Sequence, residues 1–337
     1  MNILAIDLGF GSVKVAFISP DSGELILDKY ISATAKLDER PDDFDQDNTF
    51  QLQESYYVLG PQALKLPRNY LLPLSDFETL KAVTPVWISF LVNKYQRNLG
   101  IKFEKICIGL SLVYKDRAQE MLDYLSEVLM VSPDMFICLP QGTAAKVALQ
   151  EYGLSLDPAK RTQFKFDSFV LEDLGSNTID VALITGSMSS TASSLGLENQ
   201  GVCKILFDII DFVYKSTGVQ IQPDEAKVIL DSGIFRRRGR NYDLSEQVKQ
   251  FTIKYLIGIL DLADSNPKLS SLIDNVQRII LIGGGAELWR KYLPEIQKEI
   301  EKRGYPSNFW VIPEKNSEYF NAISYLLIGN KIMNSNT

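Results

Sequence analysis

The sequence predicts an α/β protein made of two lobes that descend from one duplicated unit. The first observation is an internal repeat: residues 6–18 (IDLGFGSVKVAFI) return 166 positions later as residues 172–184 (EDLGSNTIDVALI), with six identical positions. In each copy an apolar run ends at an aspartate, small or turn-forming residues follow, and a second alternating run begins. This is the pattern of a β-hairpin. The second observation is that the order of elements after each hairpin also repeats.

Turn residues and hydrophobic periodicity define the elements of the first half. After the hairpin we expect a strand, an exposed acidic loop, a small hairpin, a helix, a strand, a helix, a strand and a helix. Their predicted positions are 25–31, 36–47, 50–60, 77–99, 105–109, 116–129, 135–139 and about 143–152.

Three helices follow the second hairpin, at 202–216, 223–231 and 243–263. Pro223 suits a first helical position because its missing N–H would have no partner there. Asp243 and Glu246 resemble a capping box, in which two side chains satisfy backbone N–H groups at the start of a helix.

The end of the second half mirrors the end of the first. A strand at 278–282, with its glycine turn and helix, matches the strand at 105–109, and residues 309–313 match residues 136–140. Strand-turn-strand, strand-helix and strand-proline-helix thus occur twice. We therefore expect one lobe at 1–160 plus 320–337, with a small insertion at about 32–75, and a second lobe at 161–319.

Composition limits the chemistry. With 337 residues, 45% of them hydrophobic and 23% charged, the chain resembles a soluble globular protein of two domains. A formal charge of −7 argues against a protein whose main task is binding nucleic acid, since that affinity comes from lysine and arginine. There is no histidine, and Cys107, Cys138 and Cys203 are isolated in apolar stretches. Histidine-dependent zinc, haem and nucleophilic sites are therefore excluded, and reduced core thiols are expected.

The termini and the apolar runs predict a cytoplasmic protein. No basic leader precedes a sustained apolar segment at the N-terminus. No stretch reaches the roughly 18 to 20 apolar residues that a membrane-spanning helix needs.

The first candidate site lies in the first hairpin. Glycines let backbone N–H groups approach a phosphate closely, a serine adds a hydroxyl donor, and a lysine adds a positive charge. An aspartate repels phosphate, so its expected partner is hydrated Mg²⁺, which prefers oxygen ligands. The residues concerned are Asp7, Gly9, Gly11, Ser12 and Lys14. Alone, this motif is equally typical of an ordinary hairpin turn.

The second candidate site lies in the second hairpin and consists of Asp173, Gly175, Ser176, Asn177 and Thr178. Asp173 is expected to hold metal-bound water, while the turn amides and Thr178 contact the terminal phosphate. Asp180 stands where the first copy has Lys14, and two roles stay open for it: joining the metal network or pairing with a nearby base. A hairpin duplicated only for folding would not need the aspartate and the glycine in both copies, so we predict a two-sided clamp for phosphate and metal.

Two further segments follow strands. Gly283, Gly284 and Gly285 open a helix, whose N–H groups and dipole suit the α-phosphate and ribose of a nucleotide. Gln141 lies between a strand and a helix, where its amide can orient an attacking water. Either segment alone is typical of a common turn.

Together these motifs resemble the nucleotide site of the actin, sugar kinase and heat-shock chaperone ATPase superfamily. The chain contains, in order, Asp-x-Gly-x-Gly-x-x-Lys, Pro-Gln-Gly, Asp-x-Gly-x-x-Thr-x-Asp, Gly-Gly-Gly-Ala and a late Asn-Ala-x-x-Tyr (Asn321, Ala322, Tyr325). The resemblance covers almost the whole chain. Within the superfamily the sequence is most similar to actin-like ATPases of the ParM/StbA plasmid-segregation type.

The resemblance implies an actin-like fold of two RNase H-like lobes, with ATP or GTP and Mg²⁺ in the cleft between them. It implies that Asp7 and Asp173 organise the metal through water, and that Lys14 contacts phosphate. Gln141 corresponds to the residue that positions water, and glycines 283–285 correspond to the adenosine loop. The family also places a charged helix against the adenosine, and Asp224 and Lys227 match it loosely because such residues commonly form the exposed face of a helix.

The function implied is an ATPase whose hydrolysis is coupled to polymerisation into filaments, for plasmid or DNA segregation. The expected partners are further copies of the chain and a DNA-binding adaptor protein, without direct contact to nucleic acid or membrane. Two alternatives stay open: a nucleotide-gated scaffold with little turnover, and a small-molecule kinase, although no extra aspartate motif supplies a kinase base. ParM-type relatives often carry glutamate in place of Gln141, which leaves the hydrolysis rate open, and Ser12 replaces a commoner asparagine or threonine.

The run at 236–240 (RRRGR) is the densest basic cluster in the chain. Such a run usually forms an exposed loop. If it has a specific role, a neighbouring subunit or an acidic adaptor is the expected contact, with the acidic segment at 38–47 as a candidate complement.

Overall fold

The computed structural model describes residues 2–42, 45, 47–142, 144–155, 168–185, 188–274, 276–306 and 309–335. The chain divides into two compact units. Unit 1 comprises Met1–Phe164 and Tyr319–Thr337, and unit 2 comprises Lys165–Glu318.

Unit 1 opens with six strands and continues with alternating helices and strands. In chain order these are β1 (Ile3–Leu8), β2 (Ser12–Ile18), β3 (Leu25–Ile31), β4 (Thr34–Leu37), β5 (Thr49–Leu52), β6 (Ser55–Leu59), α1 (Phe77–Leu99), β7 (Lys105–Leu110), α2 (Ala118–Leu129), β8 (Phe136–Pro140) and α3 (Lys146–Ser155).

Unit 2 follows the same plan with more helices between its strands. Its elements are β9 (Ser168–Leu174), β10 (Thr178–Thr185), β11 (Met188–Glu198), α4 (Cys203–Thr217), α5 (Pro223–Ser232), β12 (Ile234–Arg237), β13 (Arg240–Asp243), α6 (Ser245–Ser265), α7 (Pro267–Ile273), β14 (Ile279–Ile282), α8 (Gly284–Lys302) and β15 (Trp310–Val311). The last helix, α9 (Phe320–Ser335), returns to unit 1.

The main sheets of the two units have equivalent topologies. Unit 1 has the strand order β3-β2-β1-β7-β8, and unit 2 has the order β11-β10-β9-β14-β15. In each sheet the first hairpin is antiparallel, and its first strand pairs in parallel with the strand that follows the helical segment. Each aspartate of the repeat therefore lies near the carboxyl end of a central strand, the edge where α/β sheets bind ligands. The α/β class predicted from the repeat is confirmed.

Unit 1 packs helices against its main sheet. Trp87 of α1 is fully buried and donates from Nε1 to Oγ1 of Thr34, 3.0 Å away. This hydrogen bond connects α1 to the small β4-β6-β5 sheet. Helix α9 packs against β1, β2 and β7. Gly109 has no side chain because a Cβ there would lie 1.9 Å from the hydroxyl oxygen of Tyr325.

Helix ends in both units follow from local sequence. Asp76 and Thr79 form a capping box at the start of α1, and Gly100 ends that helix in the left-handed region. The predicted span of α1, residues 77–99, is confirmed. In unit 2, Pro223 occupies the first turn of α5 as predicted.

Several local predictions were wrong. The capping box expected at Asp243 and Glu246 does not form, because Leu244 precedes α6 and the Asp243 carboxylate accepts from the N–H of Ser245. The run at 236–240, expected to be a loop, forms the end of β12, a two-residue turn and the start of β13. The loop expected from residue 36 begins two residues later, at Asp38, because β4 extends to Leu37. Helix α3 begins at Lys146, and residue 143, its predicted start, lies outside the described residues.

The described helices include none that combines the length and apolar character required to span a bilayer. The cysteines Cys107, Cys138 and Cys203 form no disulfide, and Cys107 is buried while the other two are half-buried. Burial raises the pKa of Cys107 and of Cys138 to about 12, so both thiols are protonated near neutral pH.

Candidate functional site

The first hairpin brings three predicted site residues together around one carboxylate. Asp7 and Lys14 are cross-strand partners in β1 and β2, and Lys14 Nζ lies 3.2 Å from Asp7 Oδ2. Gln141 reaches the same carboxylate from the end of β8, donating from Nε2 to Asp7 Oδ1 over 2.7 Å. Because Asp7 is only 2% exposed, these two donors offset the cost of burying its charge.

The turn between β1 and β2 presents free amides. Gly9 N–H donates to Ser12 O over 3.0 Å, and the carbonyl of Phe10 accepts from the Ser32 hydroxyl over 2.8 Å. Within the described residues the N–H groups of Phe10 and Gly11 have no acceptor. Successive backbone N–H groups of this kind form an anion-binding concavity.

The loop that carries Gln141 is fixed on both sides. Gln141 N–H donates to Leu110 O over 2.7 Å, and Gly142 N–H donates to Oδ1 of the buried Asn321 over 3.3 Å. Gly142 has φ of 70°, a conformation that favours glycine. The Pro-Gln-Gly and Asn-Ala motifs, far apart in sequence, are therefore adjacent in unit 1.

The second hairpin repeats this turn with different support. Gly175 N–H donates to Thr178 O over 2.9 Å, matching Gly9 and Ser12. The carbonyls of Gly175, Ser176 and Asn177 accept from the N–H groups that lead into α4. Their donors are Val202, Cys203 and Gly201, respectively. The N–H groups of Ser176 and Asn177 have no acceptors among the described residues.

Gly201 is a site-supporting residue that sequence reasoning missed. A Cβ at Gly201 would lie 2.6 Å from the carbonyl oxygens of both Gly175 and Ser176. Any side chain would therefore push α4 away from the turn. The chain neighbours of Gly201 give no sign of this role, because the constraint comes from a turn more than twenty residues earlier.

Two aspartates and one glutamate are buried in the second hairpin. Asp173 and Asp180 are cross-strand partners, at 6% and 1% exposure. Glu172 is also buried, and its Oε1 has no hydrogen-bond partner. Burial raises the pKa of Glu172 to about 8, so this carboxyl is mostly protonated at neutral pH.

Further polar atoms of unit 2 are buried without partners among the described residues. The side-chain nitrogen of Asn177 and the hydroxyl of Tyr255 on α6 are buried and make no hydrogen bond. Burial, with an added contribution from the Glu172 charge, raises the pKa of Tyr255. The core behind the second turn is thus more polar than an ordinary sheet interior.

The glycine loop adjoins Asp173. Strand β14 pairs in parallel with β9 and places Ile282 beside Asp173. Gly283 has φ of 83°, and a Cβ there would lie 2.3 Å from Asp173 Oδ1, so only glycine fits between the loop and the carboxylate. Gly285 packs on Leu174, whereas a Cβ at Gly284 would meet no atom within 4 Å. The loop therefore leaves open space at the N-terminus of α8, where the helix dipole favours an anion.

Asp224 and Lys227 are not joined to this loop by any hydrogen bond or ion pair of the described residues. Lys227 pairs with Asp231 one turn along α5, and both side chains are largely exposed. The neighbouring Glu225 accepts from the N–H of Gln222 over 2.9 Å and caps the helix. Glu225 at this helix start therefore has a structural role.

Across the described residues, no group of three or more acidic or cysteine side chains converges on one point. Asp7 and Asp173 each offer hard carboxylate oxygens, which suit Mg²⁺ bound through water and ligand oxygens better than a metal held in a cage of protein ligands. Each hairpin, taken by itself, therefore offers the kind of oxygen ligand that fits a hydrated magnesium ion.

Comparison with known proteins supports the predicted resemblance. Residues 171–295 match the model of the family described as archaeal actin homologue MreB-like, C-terminal. Curated protein sequences gave no match.

Solved structures match over nearly the whole chain. A 15-stranded ParM filament from Clostridium botulinum is 19% identical with a TM-score of 0.71, covering 98% of this chain and 99% of that one. An archaeal actin homologue in complex with ADP is 18% identical with a TM-score of 0.66, covering 98% and 100%. Bacillus thuringiensis ParM with ATP is 14% identical with a TM-score of 0.60, covering 99% of each chain. The chain therefore has the actin-like fold, and the predicted resemblance to ParM-type and archaeal actin homologues is confirmed.

Proposed function

We propose that this protein is an actin-like ATPase that binds one Mg-ATP with both hairpins and polymerises into filaments. The observation that carries the proposal is the pair of matched turns. Each has two backbone N–H groups without acceptors among the described residues and a buried aspartate at the end of a central strand. One such turn is ordinary, but two with the same bonding pattern suit the β- and γ-phosphates of one nucleotide.

Mg²⁺ completes the proposed site. Asp7 and Asp173 would hold it through water. When bound, the ion would neutralise charge on the phosphates.

Hydrolysis needs an oriented water. The hydrogen bond from Gln141 Nε2 to Asp7 fixes the side chain of Gln141 and leaves its amide oxygen to accept from a water. We propose that this water attacks the γ-phosphate in line with the leaving oxygen, while Lys14 and the turn amides stabilise the charge that develops.

The nucleoside end would lie against the glycine loop. The space beside Gly284 and the N-terminus of the 19-residue helix α8 suit the α-phosphate and ribose. Contacts of Asp224 and Lys227 on α5 with the base stay a prediction. The preference between ATP and GTP is measured in the test described below.

Filament formation is proposed from the solved relatives, which include a ParM filament. Plasmid or DNA segregation through a DNA-binding adaptor protein is the corresponding cellular role. Polymer contacts would change when hydrolysis changes the bound nucleotide.

The test combines phosphate release, light scattering and electron microscopy of the purified protein with ATP, GTP, ADP or no nucleotide. The proposal expects Mg²⁺-dependent phosphate release together with filaments that form with the triphosphate. Persistent monomers in all conditions would contradict the polymerising role, and absence of phosphate release would contradict the ATPase.

One observation favours a second candidate, a nucleotide-gated scaffold with little turnover. Both carboxylate oxygens of Asp7 are already engaged, by Lys14 and by Gln141. If nucleotide binding keeps these bonds, the oxygens of Asp7 have fewer lone pairs left to accept from metal-bound water, and hydrolysis is slow. Filaments that form with ATP and persist without phosphate release would identify this function.

A further inference from the structure

The hairpin of β12 and β13 carries four arginines within five residues, 236–240. Its strands pair so that Arg236 faces Asn241 and Arg237 faces Arg240. The two turn residues, Arg238 and Gly239, have φ of 46° and 75°. Positive φ at both positions is the signature of a type I′ turn, which is tight and follows the twist of the strands.

The base of this arginine hairpin is firmly attached to unit 2. Phe235 is buried in the core, and its ring centroid lies 6.0 Å from that of Tyr242. Leu244 N–H donates to Gly233 O over 2.7 Å and closes the hairpin. Arg237 donates from Nη1 to Thr217 O over 3.1 Å. The tip therefore has a fixed direction and is not a loose loop.

The tip carries two features that are unfavourable in an isolated protein. Arg237 and Arg240 are directly opposite each other, and like charges at such positions repel. Arg238 occupies the left-handed region, where glycine or asparagine costs less. Local choices that oppose stability without a local gain are expected at functional positions.

Three of these side chains are available to a partner outside the chain. Arg236, Arg238 and Arg240 are exposed, and none of them forms an ion pair or donates a hydrogen bond to another described residue. A rigid tip with three available guanidinium groups is suited to carboxylates, which arginine binds through two parallel hydrogen bonds.

The chain itself contains a complementary segment. Asp38, Glu39 and Asp42 are exposed in the connection between β4 and β5, and they form no ion pair within the described part of the chain. The net charge of −7 makes copies of the chain repel one another, and it also repels nucleic acid. A local positive tip that meets a local negative loop offsets this repulsion at one point of contact.

We infer that the arginine hairpin docks on the acidic loop of a second copy, with Arg236, Arg238 and Arg240 facing Asp38, Glu39 and Asp42. This inference rests on the proposed polymerisation and names one of its interfaces. The two surfaces differ, so the contact is heterologous and can repeat without closing, as a filament requires. Because the contact is made of charged groups, assembly should weaken as salt rises.

The test uses two charge-reversed variants, which must fail alone and succeed together. One carries Arg236→Glu, Arg238→Glu and Arg240→Glu, and the other carries Asp38→Lys, Glu39→Lys and Asp42→Lys. In pelleting assays with ATP, each alone should raise the critical concentration for assembly by about tenfold, given three exposed charge pairs. An equimolar mixture should restore assembly, since the reversed tip of one variant meets the reversed loop of the other. The charge-retaining variant Arg236→Lys, Arg238→Lys, Arg240→Lys is the matched control. It keeps the three positive charges and loses only the paired hydrogen bonds of the guanidinium groups, so it should assemble much closer to wild type than the reversed variant.

The outcomes separate this interface from its rivals. Wild-type filaments with both reversed variants assembling normally would refute the interface while leaving the proposed function intact. Restoration only when all six changes are in one chain would show a contact within a single copy and overturn the inference. Loss of binding to a labelled DNA duplex in the arginine variant, with assembly unchanged, would assign the hairpin to nucleic acid and also overturn it. A wild type that never assembles with ATP would refute both the inference and the polymerisation on which it rests.

Discussion

The two hairpins share a backbone plan but differ at the positions beside their aspartates. Ile6 is a buried apolar residue in β1, whereas its repeat equivalent Glu172 is a buried carboxyl in β9. Lys14 neutralises Asp7 across the first hairpin, whereas Asp180 faces Asp173 across the second. Neither strand of the second hairpin contains a lysine or an arginine.

This difference shows that the two hairpins accommodate their buried carboxyl groups in different ways. The first hairpin balances its own charge and can stay formed without a ligand. The second has three buried acidic side chains and no basic residue in its own strands, and one of the three, Glu172, is kept mostly protonated by burial. The duplicated framework thus supplies geometry twice, while the side chains assign the two halves different electrostatic roles.

The largest expected effect comes from removing the aspartate of either hairpin. Asp7→Asn or Asp173→Asn should lower phosphate release by about a thousandfold, because each removes charge where the phosphates and metal are held. Phosphate release at saturating Mg-ATP measures this. The exposed Asp123→Asn is the matched control and should retain wild-type turnover. A variant with one aspartate lost and normal turnover would break the claim that both hairpins are needed.

The next effect sharpens the contrast between Ile6 and Glu172. The pKa of Glu172 is raised above its unfolded value, so the contribution of this carboxyl to stability is fully present below about pH 4.5 and is lost as pH rises towards 8. Glu172→Ile, which copies the first hairpin, should therefore gain stability relative to wild type over this window, by about 3 kcal/mol at pH 9.

Urea unfolding at several pH values, in the presence of a chelator, measures the gain from Glu172→Ile. The exposed Glu104→Gln should show no such trend with pH. A difference between Glu172→Ile and wild type that stays constant from pH 5 to pH 9 would contradict the buried protonated carboxyl.

Gln141→Ala tests the water-orienting role. Phosphate release should fall by about tenfold to a hundredfold, as expected when a reacting group loses its position. The affinity for ATP should stay near wild type because the turn amides bind the phosphates. Turnover and the Kd for ATP, measured separately, distinguish these effects; equal losses in both would show that Gln141 supports binding.

The smallest effect concerns Lys14, the charge that the second hairpin lacks. Lys14→Met should raise the Kd for ATP by about tenfold, since one charged hydrogen bond to phosphate is lost. Lys29 is exposed on β3 and lies opposite Lys14 in the strand register. The variant Lys29→Met is the matched control. Similar affinity in the two variants would remove Lys14 from the phosphate site.

Much of the fold could be predicted because the repeat fixes it. The α/β class and the strands of both hairpins follow from alternating runs, and the span of α1 follows from its periodicity and its capping residues. The small β12–β13 hairpin was missed because charge dominates its sequence, so that the Arg-Gly turn looked like a loop. The start of α6 was misjudged because Asp243 bonds locally to Ser245 instead of capping the helix.

Site residues that belong to a sequence motif could be predicted. Residues that support the site only through packing or a distant hydrogen bond could not. Asp7, Lys14 and Gln141 meet as their residue types suggest. Gly201 and Ser32 support the turns from elsewhere in the chain, and no local pattern marks them. Glu172 did carry a signal, since it is a charged residue at a position where the other copy of the repeat is apolar.

The central claim is that the two hairpins bind one nucleotide together. Isothermal titration calorimetry with Mg-ATP tests it most directly, using wild type, Asp7→Asn, Asp173→Asn and the double variant. The account predicts one nucleotide per wild-type chain, a large loss of affinity in each single variant, and a smaller loss in the double variant than the sum of the two, because the residues act on one ligand. Two nucleotides per chain, with each substitution removing only one of them, would contradict it.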